Sequence, residues 1–283
     1  MKRLAIAGVG LIGGSFALAL RAAGVEARIT GIDLGRNLST ELANGVIDDA
    51  LPLEEACATA DLIYLALPIG NILELLPRVA AACGENCLVT DAGSTKSEIV
   101  RRAAEVFVRG QFLGGHPMAG KETRGVTVAE AGLFRGRPYL LTPRHPPEME
   151  TSAARMLLEW IQAMGGRPAV MAPEEHDETV ALTSHLPQML STALASLLEG
   201  KESRDRLVEA AGPGLIDSTR LALSPWGVWA DIISTNRPAI EKALLAYEEQ
   251  ARKLRLALAS EDGVKEYFES GRRFAEKLRK NAD

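Results

Sequence analysis

The run Gly8-Val9-Gly10-Leu11-Ile12-Gly13-Gly14 follows the apolar stretch Leu4-Ala5-Ile6-Ala7 without a break and opens onto the Ala- and Leu-rich segment Ser15 to Ala23. A short continuous apolar run reads as a parallel strand buried on both faces. The segment after it carries a helical pattern closed by Gly24 as a C-terminal cap. Between the two, each glycine has a physical reason. Gly8 permits a tight turn, Gly10 lets the backbone approach a pyrophosphate, and Gly13 allows the helix to lie close to the strand. The N-terminal N–H groups of the helix then face the anion, and Leu11 and Ile12 of the loop are expected beside the cofactor. A second strand, Ala27 to Ile32, ends on Asp33, an acid about twenty positions past the last glycine of the fingerprint. Asp33 suits the two ribose hydroxyls of NAD and repels the additional phosphate of NADP, so NAD is expected first. Arg36 keeps NADP open, because an arginine just past the strand accepts a 2′-phosphate if Asp33 turns aside.

The same rhythm continues. Asp61 to Pro68 and Cys87 to Asp91 read as strands followed by helices, the second helix over about Thr95 to Val108. Alternation of this kind predicts an α/β fold with a doubly wound parallel sheet, whose ligands bind beyond the carboxyl ends of the strands. Three polar or turn segments fall at such ends: Leu67-Pro68-Ile69-Gly70, Asp91-Ala92-Gly93-Ser94-Thr95-Lys96, and Gly114-Gly115-His116-Pro117-Met118-Ala119-Gly120. They are expected around one crevice, with Leu67 and Pro68 beside the cofactor. His116 is one of four histidines, and an imidazole that titrates near neutral pH at a strand end is a candidate acid or base. A turn histidine that satisfies local backbone groups has the same sequence appearance. Ser94 is open between contact with a ligand and simple capping, since Ser94 or Thr95 can cap the next helix with Glu98 completing a capping box from Thr95.

The strands are expected to end with Arg137 to Pro143 and Arg167 to Met171, which flank a helix over Glu150 to Met164. From Pro173, a residue suited to a first helical turn, the pattern is helical. Two domains follow, residues 1–170 for dinucleotide binding and an all-α segment over 171–283. Ala181, His185, Gln188 and Thr192 share one helix face, and Pro187 frees the carbonyl of Thr183, so a kink is expected beside His185. His185 reads equally as a buried histidine satisfied by a neighbouring carbonyl. Arg220 suits bidentate capture of a carboxylate, or an ion pair with Asp217 or Asp231. From Pro238, the positions Ile240, Leu244, Tyr247, Ala251, Leu254 and Leu258 form a seam of coiled-coil spacing. It predicts either a homodimer or an intramolecular packing face.

Hydrophobic residues make up 47% and charged residues 24% of the 283 residues, the balance of an ordinary globular protein. A net charge of −5 argues against nucleic acid as partner and leaves a small molecule. Cys57, Cys83 and Cys87 lack the paired spacing of a zinc site, so no metal is expected. With Met1-Lys2-Arg3 running straight into a strand and no apolar run of spanning length, a cytoplasmic protein without a membrane partner is expected.

Taken together, the N-terminal glycine fingerprint, Asp91-Ala92-Gly93-Ser94-Thr95-Lys96, Gly115-His116-Pro117-Met118-Ala119-Gly120, Ser184-His185-Leu186-Pro187 and Ser218-Thr219-Arg220 with Trp229-Ala230-Asp231-Ile232 resemble the prephenate and arogenate dehydrogenase family of tyrosine biosynthesis. The resemblance covers nearly the whole chain. It implies a Rossmann domain, a helical dimerisation domain, an active site between them, and oxidative decarboxylation of a cyclohexadienyl acid with NAD or NADP. By that resemblance His116 is the general base, Ser94 hydrogen-bonds His116 and the substrate hydroxyl, and Arg220 fixes a substrate carboxylate, with His185 and Gln188 also in the substrate site. Many members read Ser-His-Leu-Pro-His where this chain has Gln188. A glutamine offers its carbonyl to an ammonium as readily as its NH₂ to a ketone, so arogenate, or both acids, is the expected substrate over prephenate alone. Two other classes fit parts of the pattern: a hydroxyacid or imine reductase, which commonly places a lysine on the helical domain, and a dinucleotide-sensing regulator, which has no use for His116, Ser94 and Arg220 together.

Overall fold

The computed structural model describes residues 2–35, 38–108, 111–121, 123 and 125–280. Arg36 and Glu122 lie outside the described residues, and so does the side chain of Asp33. The first strand, β1 (Lys2–Ala7), leads through the glycine loop into α1 (Leu11–Ala22), and β2 (Ala27–Asp33) follows. Next come α2 (Ser39–Ala43), β3 (Asp49–Pro52), α3 (Leu53–Thr59), β4 (Leu62–Leu65), α4 (Ile69–Ala82), β5 (Leu88–Asp91), α5 (Ser97–Val106) and β6 (Phe112–Pro117). Then β7 (Pro138–Thr142), α6 (Ser152–Ala163) and β8 (Arg167–Val170) complete one sheet of order β3-β2-β1-β4-β5-β6-β7-β8.

The pairs from β3 through to β6 are parallel, which gives the dinucleotide-binding order and puts the reversal of winding between β1 and β4. The edge beyond β6 differs from an all-parallel sheet. β7 pairs antiparallel with β6, in register His116 to Leu140, and β8 runs parallel to β7. The central strands are apolar because both faces are covered: Leu4 to Ala7 and Leu62 to Leu65 are all buried. Each large side chain so placed contributes about 1.5 to 3 kcal/mol of transfer free energy. Phe16 of α1 stacks on Tyr64 of β4 with ring centroids 4.2 Å apart, and the Tyr139 hydroxyl reaches the Tyr64 hydroxyl at 3.3 Å. These contacts join the helix, β4 and β7 in one core.

Three elements between Asp33 and Asp61 carry no clear sequence signal. β3 is a four-residue edge strand containing Asp49 and Pro52, partly exposed along its length. It lacks the apolar run that marks strands covered on both faces. The helix starts also shift. α1 begins at Leu11, inside the glycine loop, because the glycines of its first turn are what let it approach β1.

The helical part contains α7 (Pro173–Val180), one turn of π-helix over Ala181–His185, α8 (Leu186–Glu199), α9 (Arg204–Glu209), α10 (Pro213–Thr219), a 3₁₀ turn at Arg220–Leu223, α11 (Trp226–Ala257) and α12 (Glu261–Lys280). The π-turn sits where Pro187 withdraws its N–H from the carbonyl of Thr183, the cause expected of the predicted kink. Helix α11 starts twelve residues before Pro238 and bends at Asn236, whose φ of −132° and ψ of 24° are not helical. Pro238 has no N–H to donate to the carbonyl of Ser234, four residues back, and its ring crowds that carbonyl, so the helix bends within the turn before the proline.

By Cα proximity the chain forms two compact units. One comprises Met1–Thr179 with Ser224–Thr235, and the other Val180–Leu223 with Asn236–Asp283. The first unit thus takes in α7 up to Thr179 and the start of α11, segments that composition alone assigns to the helical part. Specific bonds hold them there. The Asp177 carboxylate accepts from the N–H groups of Lys96 and Ser97, Asp231 Oδ2 accepts from the Gly70 N–H at 2.9 Å, and the Thr95 and Thr235 hydroxyls meet at 2.7 Å.

Candidate active site

The glycine loop has the shape its spacing predicts. Gly8 adopts φ +87°, and a Cβ there would collide with the Ala66 carbonyl oxygen. A Cβ on Gly13 would strike the Gly8 carbonyl oxygen and lie 2.9 Å from the Ile6 side chain. Gly10 is different: a Cβ built on it meets nothing within 4 Å. Open space therefore lies against the backbone where a diphosphate would approach. No side chain caps the start of α1, so the partial positive charge of the N–H groups at Leu11 and Ile12 is available to an anion. The carboxyl ends of β2 and β4 border a cleft of about 680 Å³ lined by residues that include Leu34, Gly35, Leu53, Leu67 and Arg78. Leu67 therefore lines the cleft that begins just past Asp33, and Pro68 follows as the exposed residue capping α4. These residues fit a dinucleotide: a glycine cradle, an uncapped helix start, and a cleft at the acid's strand end.

His116 is not in an exposed turn. It lies within β6 and is 8% exposed. The glycines before it serve packing, since a Cβ on Gly114 would strike Thr142 Oγ1 and one on Gly115 would lie 2.6 Å from the Asp91 carbonyl oxygen. His116 Nδ1 is 2.9 Å from His176 Nε2, and His176 Nδ1 is 2.8 Å from Asp177 Oδ1. The same Asp177 carboxylate caps α5, accepting from the N–H of Lys96 at 2.7 Å and of Ser97 at 2.9 Å. A capping box from Thr95 to Glu98 is therefore not what starts this helix. A full negative charge at a helix N-terminus outcompetes a hydroxyl. Hydrogen bonds from the His176 ring, from the side chain and N–H of Ser97 and from the Lys96 N–H hold Asp177 below its ordinary value against the opposing effect of its burial, while burial, chiefly, lowers His176.

Beneath His116 lies a buried ion pair. Lys96 is fully buried, not solvated at the mouth of the site as loop lysines usually are. Its Nζ pairs with Asp91 Oδ2 and donates to the Gly115 carbonyl at 2.9 Å. Asp91 in turn accepts from the N–H groups of Gly93 at 2.8 Å and Gly115 at 3.1 Å. Both backbone groups of Gly115 are thus fixed by one ion pair, and with them the direction in which His116 leaves β6. Ser94 occupies the same loop, half-buried, between Gly93 and the buried Thr95. The partner on Nδ1 of His116 is His176, not Ser94.

The remaining residues singled out by sequence belong to the second unit. His185 closes the π-turn, is 1% exposed, and shares a 3.3 Å hydrogen bond between its Nδ1 and Asn236 Nδ2. Gln188 is buried on α8, and its Nε2 donates to Leu221 O at 2.8 Å and Thr192 Oγ1 at 3.1 Å. Because a main-chain carbonyl only accepts, the amide orientation is fixed, and Oε1 is the acceptor that remains. Arg220 opens the 3₁₀ turn Arg220–Leu223 and is exposed.

Comparison with known proteins agrees across both units. Residues 16–183 match the nucleotide-binding domain model of prephenate dehydrogenase, and residues 172–271 match its dimerization domain model. The chain belongs to the prephenate dehydrogenase family. A prephenate dehydrogenase of Lactococcus lactis subsp. cremoris is 32% identical over 285 residues, spanning 98% of this chain and 78% of that protein. The cyclohexadienyl dehydrogenase of Zymomonas mobilis is 32% identical and spans 93% of this chain and 90% of its own. The crystal structure of A. aeolicus prephenate dehydrogenase in complex with hydroxyphenyl propionate and NAD+ superposes with a TM-score of 0.88 at 29% identity, covering 98% of both chains.

Within this family member, two residues of the site escape a reading by motif. His176 and Asp177 sit in the polar first half of α7, where Pro173, Glu174 and Glu175 look like an ordinary solvated helix start. The available signal is a histidine next to an acid that turns out fully buried in so polar a helix. That burial is visible only once β6 and α5 are in place.

Proposed function

We propose that this chain catalyses the NAD-dependent oxidative decarboxylation of a cyclohexadienyl acid, arogenate or prephenate, with His116 as the base. NAD would supply the hydride acceptor when bound, and Gly8, Gly10, Leu11, Ile12, Gly13, Asp33, Leu67 and Pro68 would hold it. His116 takes the proton of the ring hydroxyl while hydride leaves the same carbon. The bond to the ring carboxylate then breaks, carbon dioxide departs, and its electron pair makes the ring aromatic. The phenolate formed regains the proton from His116. Ser94 orients the substrate hydroxyl, and Arg220 holds a substrate carboxylate, with His185 and Gln188 also binding the substrate.

The observation that carries this reading is the buried His116 near the carboxyl end of β6, backed by a carboxylate through His176. A histidine with only a packing role has no need of that backing. The reductase reading lacks its base: no lysine occurs between Glu174 and Gly200. On the substrate's tail, Gln188 presents Oε1, an acceptor suited to the ammonium of arogenate more than to the ketone of prephenate. Residues 1–170 then serve the cofactor and 171–283 the substrate and a homodimer. Support for the dimer comes from exposed apolar residues on and between the last two helices, Tyr247 and Leu254 of α11 and Leu258 in the turn after it among them. Incubating the protein with NAD and each acid while following reduced nicotinamide tests the reading. Reduction with arogenate at the higher kcat/KM is expected, and no reduction with either acid and either cofactor contradicts it.

A further inference from the structure

We propose that Asp177 and His176 are positioning residues that fix the tautomer of His116, making Nε2 the atom that takes the substrate proton. The inference deepens the reading of His116 as the base and rests on it. Three side chains from two elements form the chain: His116 on β6, and His176 and Asp177 adjacent on α7. The two rings lie 5.1 Å apart between centroids at 59°, and all three residues are buried.

The direction of the hydrogen bonds follows from what each group is able to do. An ionised carboxylate only accepts. Asp177 receives two main-chain N–H groups, from Lys96 and Ser97, so it is an acceptor before His176 is considered. His176 must therefore carry its proton on Nδ1, 2.8 Å from Asp177 Oδ1. In a neutral imidazole the other nitrogen then holds a lone pair, so His176 Nε2 accepts, and the donor 2.9 Å away is the Nδ1–H of His116. His116 Nε2 is left with the lone pair. A cationic His176 would reverse the second bond and put the proton of His116 on Nε2, blocking the base. The charged groups facing His176 are Asp177 on α7, Lys96 at the start of α5 and Asp91 on β5. The Lys96 and Asp91 charges offset each other as a pair, and complete burial disfavours a further cation.

Two consequences follow for the reaction. Nδ1 is already spoken for, so the proton arrives at one atom in one geometry. The imidazolium that forms is met by a hydrogen-bonded path to a carboxylate, as in other histidine bases oriented by an acid. Asp177 has a second duty, because the same carboxylate holds the start of α5 and hence the end of the loop that carries Ser94. One side chain thus ties the loop of Ser94 to the tautomer of His116.

The test is a ¹⁵N-histidine NMR measurement on the full-length protein near pH 7.5, with resonances assigned from single His→Asn variants at His116, His145, His176 and His185. We expect both His116 and His176 as Nδ1–H tautomers. A proton on Nε2 of His116 overturns the proposal whatever the enzyme's activity. Asp177→Asn supplies the kinetic arm. Its amide donates to His176 and reverses both rings, so kcat should fall by about 10²- to 10⁴-fold, with KM changed only a few-fold and the His116 signal moved to the Nε2–H form. An Asn variant that folds, keeps wild-type kcat and keeps the Nδ1–H signal on His116 sinks the inference. If Asp177→Asn does not fold, the wild-type tautomers still decide it. Inactivity of the wild type with both acids would instead remove the functional reading, a result the tautomer measurement does not depend on.

Discussion

Nε2 of His176 stands 2.9 Å from Nδ1 of His116, across from β6 to α7, and the acid that follows His176 in the chain caps a third element, α5. With His116 as the proposed base, this contact makes α7 part of the proposed catalytic unit, although α7 begins the stretch that reads as the helical domain.

Gly10 and Gly13 separate binding from folding. Gly10→Ala meets no atom within 4 Å, so thermal stability should hold within about 0.5 kcal/mol. NAD affinity should fall by at least about tenfold as the methyl takes up room against the diphosphate, near 1.4 kcal/mol. Gly13→Ala collides with the Gly8 carbonyl and Ile6 and should cost about 1 to 3 kcal/mol of stability by overpacking. Calorimetric titration with NAD and chemical denaturation of both variants check the contrast. Equal behaviour of the two would show that the cradle is misplaced.

The Lys96–Asp91 pair is fully buried, and breaking such a pair from one side leaves an uncompensated charge. Lys96→Met should destabilise the protein by about 3 to 5 kcal/mol. Lys96→Met with Asp91→Asn removes both charges and should recover a substantial part of that loss, read as a shift in the urea midpoint. A double variant less stable than the single one would contradict the account of Gly115 held by this pair.

Stability should decline on the acid side. His176 is held below the ordinary histidine value by burial, so the unfolded chain binds its proton first as pH falls, and the stability present above about pH 6.5 is lost below it. Asp177 is likewise held down, by its donors against the opposing effect of burial, and its contribution is lost at lower pH, as its folded carboxyl protonates. Denaturation midpoints measured from pH 8 to 4 should fall in that direction, and His176→Gln should remove the histidine part of the slope near pH 6. A flat profile would argue that His176 is charged in the folded protein.

Arg220→Gln should chiefly raise KM, as loss of uniform binding does. Steady-state kinetics with the preferred acid distinguish this from a fall in kcat alone, which would assign Arg220 a different role.

How far the sequence spoke depended on how local the cause was. The glycine loop, β1, β4 and β5 were legible because tight backbone approach and burial on both faces each demand particular residues over a few positions, and the bend near His185 followed from one proline. β3 was hidden because an edge strand needs no apolar run. The burial of Lys96 was not legible, because it depends on Asp91, five residues away, and on the Gly115 carbonyl of a different strand. The capping of α5 was misassigned for the same kind of reason: its acceptor, Asp177, is eighty residues along the chain from Ser97. His116 was found as a histidine at a strand end, yet what sets its proton is a pair on α7 that no short motif names.

The central claim is that His116 removes the hydroxyl proton in an oxidative decarboxylation. It is tested most directly by running wild type and His116→Asn side by side with NAD and arogenate, measuring reduced nicotinamide and released carbon dioxide together. The account predicts one carbon dioxide per NADH from the wild type, and a variant that binds NAD with nearly unchanged affinity yet turns over about 10²- to 10⁴-fold more slowly. A variant as fast as the wild type, or one slowed only through lost NAD binding, would contradict it.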